Sequence, residues 1–231
     1  MPSVKGEFMK RVTYLTAAVA LALLVIGSQA EAQNKRAGIN AGIDFATVST
    51  NTTDDFSSKT GFSAGGSFGV DLAKMFRLQL NAQYVQKGTS FSELDIDELD
   101  IDFDINLTYI ELLLPLTLVI PIEDSPITPR LYAGPSVAFE MTCKVGASFD
   151  GQSVSADCVD EDLETNIQTK STDFGVFFGG GVDFAVGSGE ITFDVLYNLG
   201  LTNMNDIPDD PAEFKNRNLQ ILLGYAFLFG T

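Results

Sequence analysis

Taken every second residue, the stretch FGVFFGGGVDFAV, Phe174 to Val186, separates into two unlike sets. One holds Phe174, Val176, Phe178, Gly180, Val182, Phe184 and Val186; the other holds Gly175, Phe177, Gly179, Gly181, Asp183 and Ala185. A period of two puts the sets on opposite faces of a β-strand and does not fit the roughly 3.6-residue repeat of a helix. Other segments sort the same way. Ile39, Ala41, Ile43 and Phe45 oppose Gly38, Asn40, Gly42 and Asp44, and Phe62 to Leu72 oppose Ser63 to Asp71. Phe76, Leu78, Leu80, Ala82 and Tyr84 oppose Arg77, Gln79, Asn81 and Gln83, while Ile110 to Ile120 oppose Glu111 and Thr117. Leu131, Ala133, Val137, Phe139 and Met141 oppose Arg130, Tyr132, Ser136, Glu140 and Lys144. Ile191 to Leu199 oppose Thr192, Asp194 and Asn198, and Leu219 to Phe229 oppose Asn218, Gln220 and Gly224.

The connections alternate in length. Leu72 to Phe76, Pro121 to Thr128 and Val186 to Glu190 are tight and rich in turn residues, whereas Thr50 to Thr60, Thr89 to Asn106, Gly146 to Lys170 and Asn203 to Lys215 are long and polar. Eight antiparallel strands with short turns at one end and long loops at the other predict an all-β, up-and-down transmembrane barrel. The N-terminus supports export. Lys5, Lys10 and Arg11 precede the apolar run Val12 to Gly27, and small residues at Ala30 and Ala32 follow, the layout of a signal peptide over residues 1–32. Cleavage is expected between Ala32 and Gln33, with cleavage after Ala30 as the alternative, leaving a barrel domain over 33–231. The expected location is the bacterial outer membrane, with both termini in the periplasm.

Polarity separates this from a soluble ligand-binding barrel, in which apolar residues line the cavity. Here the apolar set must face lipid, because the other set carries Asp44, Asp71, Arg77, Lys87, Glu111, Arg130, Glu140, Asp173, Asp183 and Asp194. Lining an apolar pocket with these would cost several kcal/mol for each unpaired charge. An interior only wide enough for side chains predicts an ion-pair network and no wide channel. Pro115 and Pro135 lack a ladder donor and are expected to mark irregular pairing.

The stretches QYVQKG (Gln83 to Gly88), YIELLLPL (Tyr109 to Leu116), LYAGPSVAF (Leu131 to Phe139), TDFGVFFGGGVDF (Thr172 to Phe184), YNLGLTNM (Tyr197 to Met204) and NRNLQILLGYAF (Asn216 to Phe227) occur in this order over nearly the whole mature chain. Together they resemble the PorT-like outer-membrane β-barrel domain family of Bacteroidetes and related bacteria. The resemblance implies an integral outer-membrane barrel, some members of which are associated with protein secretion.

Catalysis in barrels of this size relies on His beside Ser, and the chain has no His. No enzyme activity, cofactor or metal centre is therefore expected. With 14 Lys and Arg against 31 Asp and Glu, nucleic acid is not an expected partner. Cys143 and Cys158, the two thiols, are expected to form a disulfide in the oxidising compartment that export implies, closing a loop at the outer rim. Acid concentrates in the long loops: Glu93, Asp95, Asp97, Glu98, Asp100, Asp102 and Asp104, then Asp157, Asp160, Glu161, Asp162 and Glu164, then Asp206, Asp209, Asp210 and Glu213. A solvated rim is the plain reading, and divalent-cation binding is the sharper one. The expected role is structural or interactive, linked to secretion or envelope assembly, with outer-membrane lipid and envelope proteins as partners. The alternatives are a binding module working through the acidic loops and a narrow channel.

One segment changes phase. Leu99, Ile101, Phe103, Ile105, Leu107 and Tyr109 are apolar at odd positions, yet from Ile110 onward the apolar face is even. A one-residue slip exchanges faces. A continuous strand gives the same inversion if it rises out of the membrane, where its outside meets water. The expectation is a strand starting near Leu99, with Asp100, Asp102 and Asp104 outward and Ile101, Phe103 and Ile105 capping the lumen.

Overall fold

In a computed structural model, which describes residues 34–51, 57–92, 102–149, 152–160, 165–166, 169–205 and 211–230, all regular structure is β. The signal segment and the Ala32/Gln33 junction lie outside the described residues. The strands are β1 (Lys35–Thr50), β2 (Ser57–Ala73), β3 (Phe76–Ser92), β4 (Asp102–Leu113), β5 (Leu116–Val119), β6 (Ile127–Phe149), β7 (Gln152–Asp157), β8 (Val159–Asp160), β9 (Thr165–Asn166), β10 (Thr172–Val186), β11 (Gly189–Gly200) and β12 (Phe214–Phe229). Eight staves, with β4 and β5 as one interrupted stave, pair antiparallel to their sequence neighbours. The ring closes along the whole of β1, from Lys35↔Phe229 to Thr50↔Phe214, so no stave is left with an open edge.

The two faces are as unlike as the alternation requires. Ile39, Phe178 and Leu223 are 67%, 53% and 61% exposed, whereas the inward Asp44, Glu111 and Asp183 are at most 1% exposed. On β10 the exposed apolar row runs from Phe174 to Phe184. Ten residue steps of about 3.3 Å, tilted by about 40°, climb roughly 25 Å, the height of an outer-membrane hydrocarbon belt. At the short-turn end, Val186↔Gly189 closes a two-residue hairpin in which Gly187 has φ 61°, a conformation that suits a residue without Cβ.

The prolines interrupt the ladder where expected. The stave breaks at Leu114 and Pro115, beside Pro135 of β6, and isolated bonds from Gln79 N to the Pro115 carbonyl and from Leu114 N to the Pro135 carbonyl carry the pairing across. The phase change has a more particular solution. β4 pairs with β3 without a slip from Ser92↔Asp102 to Asn81↔Leu113, so the strand itself is continuous. The slip lies on β6, where Thr108↔Thr142 is followed by Tyr109↔Glu140 and Met141 is extra. Met141 and Thr142 are both exposed, and Cys143 then turns inward. This corrects the placement of Lys144 on the inner face: it is exposed, because the bulge exchanges the faces of β6 above it.

Candidate functional site in the filled lumen and the sheet above it

The lumen is occupied in tiers. Near the short turns, Asp183 of β10 receives three guanidinium groups, Arg130 Nε at 2.7 Å, Arg77 Nη1 at 3.3 Å and Arg36 Nη1 at 3.5 Å. Each arginine holds a second carboxylate: Arg36 pairs with Glu190 at 2.7 Å, Arg77 with Asp71 at 2.9 Å and Arg130 with Asp194 at 2.9 Å. One buried carboxylate thus ties together β1, β2, β3, β6, β10 and β11. Among these groups a cavity of about 40 Å³ remains, lined also by Asn40 and Tyr132, room for a few waters.

The middle tier centres on Glu111. Lys87 Nζ lies 2.7 Å from its Oε1, and Asn198 Nδ2 and Gln83 Nε2 donate to it at 2.8 and 3.2 Å. Gln83 also donates to Gln220 Oε1 at 2.9 Å, and Ser136 donates to Asn198 Oδ1 at 3.1 Å. The Lys87 ammonium lies 5.2 Å from the centre of the Tyr109 ring, a cation–π contact. Higher still, Asn216 donates to Asp173 at 2.8 Å and Thr169 donates to Glu140 at 2.9 Å.

An apolar cap lies toward the long-loop end. Leu107, Tyr109, Ala138 and Met204 are buried together, with Ile105 and Cys143 packed against them. Met204 comes from the segment between β11 and β12, held by bonds from its N–H to the Phe214 carbonyl and from Lys170 N to its own carbonyl. Ile105 thus takes the capping place expected of it. Leu99 and Ile101 lie outside the described residues, and Phe103 is placed by register opposite Phe91 and Ala147.

Above the cap, β3, β4, β6 and β7 continue as one sheet, with Thr89↔Ile105↔Val145↔Ala156 forming a row across it. Cys143 and Cys158 are bonded, with Cα atoms 5.4 Å apart and a hydrogen bond from Cys158 N to the Cys143 carbonyl. The chain between them is not the expected loop. It is the β6–β7 hairpin, paired from Lys144↔Asp157 to Phe149↔Gln152.

Of the loop acids, Asp104 pairs with Lys59 at 2.6 Å, and Glu213 pairs with Lys215 at 2.8 Å, whose hydrogen bond and charge hold the Glu213 carboxyl below its ordinary range. Asp102, Asp157 and Asp160 fall on β4, β7 and β8. Glu93, Asp95, Asp97, Glu98, Asp100, Glu161, Asp162, Glu164, Asp206, Asp209 and Asp210 lie outside the described residues. Arg36 and Glu190, central to the arginine tier, were not singled out by the sequence. The signal was present, since Arg36 and Glu190 share the parity of the inward residues of β1 and β11.

A family model for the outer membrane protein β-barrel domain matches residues 28–206. Among solved structures, the outer membrane protein OprG from Pseudomonas aeruginosa has the same fold, with a TM-score of 0.53 and 12% identity over 87% of this chain and 98% of that one. Neisserial surface protein A gives 0.46 and 16% identity over 84% and 97%, and Ail, the attachment invasion locus protein of Yersinia pestis, in complex with the heparin analogue sucrose octasulfate, gives 0.41 and 15% over 84% and 99%. No curated protein matches the chain.

Proposed function

Since the chain belongs to the outer membrane protein β-barrel domain family, we propose that it acts as a closed barrel with a structural or interaction role, whose interior is scaffold and whose working surface is the sheet and loops above the membrane. The observation that carries this reading is a lumen filled from the Asp183 tier to the Met204 cap. Side chains committed to buried ion pairs and packing are unavailable as a conduit, and a chain without His lacks the usual base for hydrolysis. In this reading a signal peptide is removed between Ala32 and Gln33, the termini and tight turns lie in the periplasm, and the disulfide-closed hairpin stands outside the cell. The resemblance to PorT-like barrels favours partners among secretion and envelope-assembly proteins.

Photo-cross-linking in native outer membranes tests the reading. A photoreactive residue at Val154 on β7, 70% exposed, is expected to capture a recurring envelope protein, whereas one at Phe178 on the lipid face captures lipid. Adducts at neither position, in a protein that conducts ions, would turn the assignment to a channel.

A further inference from the structure

We infer that the outer edge of β7 takes up an extended segment of a cationic partner as an added strand. β10 leaves β6 at Thr172↔Phe139, and above that point β7 takes its place, pairing with β6 from Lys144↔Asp157 to Phe149↔Gln152 without a slip. On the far side of this sheet, β2 still covers β3 as far as Ser57↔Ser90. Among the described residues, β6 is the one strand that pairs with β7. Cys158 N bonds the Cys143 carbonyl, and antiparallel ladders alternate, so the N–H and C=O groups of Ser153 and Ser155 point away from β6. Sheet edges are usually blunted by Lys, Pro or a bulge, and the β7 sequence QSVSAD carries none of these. The Cys143–Cys158 bond at its base holds the edge in place, which lowers the ordering cost of adding a strand.

The two faces of the sheet set what the added strand carries. Val154, 70% exposed, and Ala156 lie on the side of Val145 and Ile105, whereas Ser155 lies in a row with Gly146 and Asp104 on the other side. Rows continue across a new strand, so it places apolar side chains beside Val154 and Ala156 and polar ones beside Ser155. Charge indicates that the polar ones are basic. The four long connections hold 19 of the 31 Asp and Glu but three of the 14 Lys and Arg. A second copy of this chain would bring the same charge to the edge and be repelled. A segment that alternates apolar and basic residues is attracted by the field and matched on both faces. The inference rests on the proposed reading, in which this sheet stands outside the cell.

The test uses the full protein in lipid nanodiscs and a synthetic decapeptide alternating lysine and valine, with amide hydrogen exchange as the readout. The peptide binds, slows exchange at the Ser153 and Ser155 amides but not in β10 to β12, and loses affinity by about tenfold when salt is raised to screen the charge. A glutamate and valine peptide does not bind. Methylating every second amide nitrogen of the lysine peptide abolishes binding, as does Ser155→Pro in the protein, and the methylated peptide decides the matter if Ser155→Pro does not fold. Equal binding by the methylated peptide would overturn the inference, since charge alone would then account for it. So would Ser153 and Ser155 amides already protected without peptide, whether by the chain itself or, where protection rises with protein concentration, by a second copy. Cross-links from Val154 to an envelope protein that persist beside such a result leave the proposed function standing and remove strand addition alone.

Discussion

Asp183 shows how one residue can organise a barrel that has no conventional core. Its carboxylate meets Arg36, Arg77 and Arg130, so Asp183→Ala leaves three guanidinium groups buried around a missing partner. The expected loss is about 3 to 5 kcal/mol, read from urea unfolding in micelles. The two faces of β10 respond differently to substitution. Phe178→Lys puts a charge in mid-belt and should cost about 2 to 4 kcal/mol. At the adjacent Gly179 an added Cβ would lie 2.5 Å from the Val195 carbonyl oxygen and 2.8 Å from the Tyr132 ring, so Gly179→Val should destabilise through crowding by about 1 to 3 kcal/mol. Alternation made the inward status of Asp71, Arg77, Arg130, Asp183 and Asp194 legible, because side is a property of parity alone. It could not show that three arginines share one carboxylate. Partners on staves 106 or 147 residues apart are chosen by closure and shear, which no local pattern encodes.

At the scale of elements, the sequence marked the inversion around Tyr109 without saying which strand carried the irregularity. β4 runs straight and β6 absorbs the extra residue at Met141, because a bulge on the partner lets Leu107 and Cys143 face each other inside. The cap was legible in part: odd-numbered apolar residues on β4 had to cover something, but Met204 reaches it from a segment with no strand periodicity. The Cys143–Cys158 bond closes a hairpin with a sequence separation of 15, a crosslink expected to contribute about 3 kcal/mol. Replacing both cysteines by serine should therefore speed amide exchange in residues 144–157 while leaving exchange in β10 to β12 unchanged. Equal acceleration everywhere would mean that the hairpin is not a separable unit. In the unmutated folded protein, maleimide should label neither cysteine without reductant.

At the scale of the molecule, the apolar outside faces lipid and the charged inside holds the staves together; in the proposed reading, recognition falls to the sheet of β3, β4, β6 and β7. The fold could be read from periodicity and loop lengths because a closed barrel is the arrangement in which strands with a greasy face satisfy every backbone group in a membrane. The role could not be read that way, since a filled and an open lumen share the same alternation and differ only in how side chains pack across it. Planar-bilayer recording of the purified protein separates the two most directly. The wild-type protein should insert without producing unitary current steps, whereas Asp183→Ala combined with Met204→Gly, which loosens both closures, should admit small ones. Steady stepwise conductance through the wild-type protein, rising with electrolyte concentration, would contradict a closed barrel.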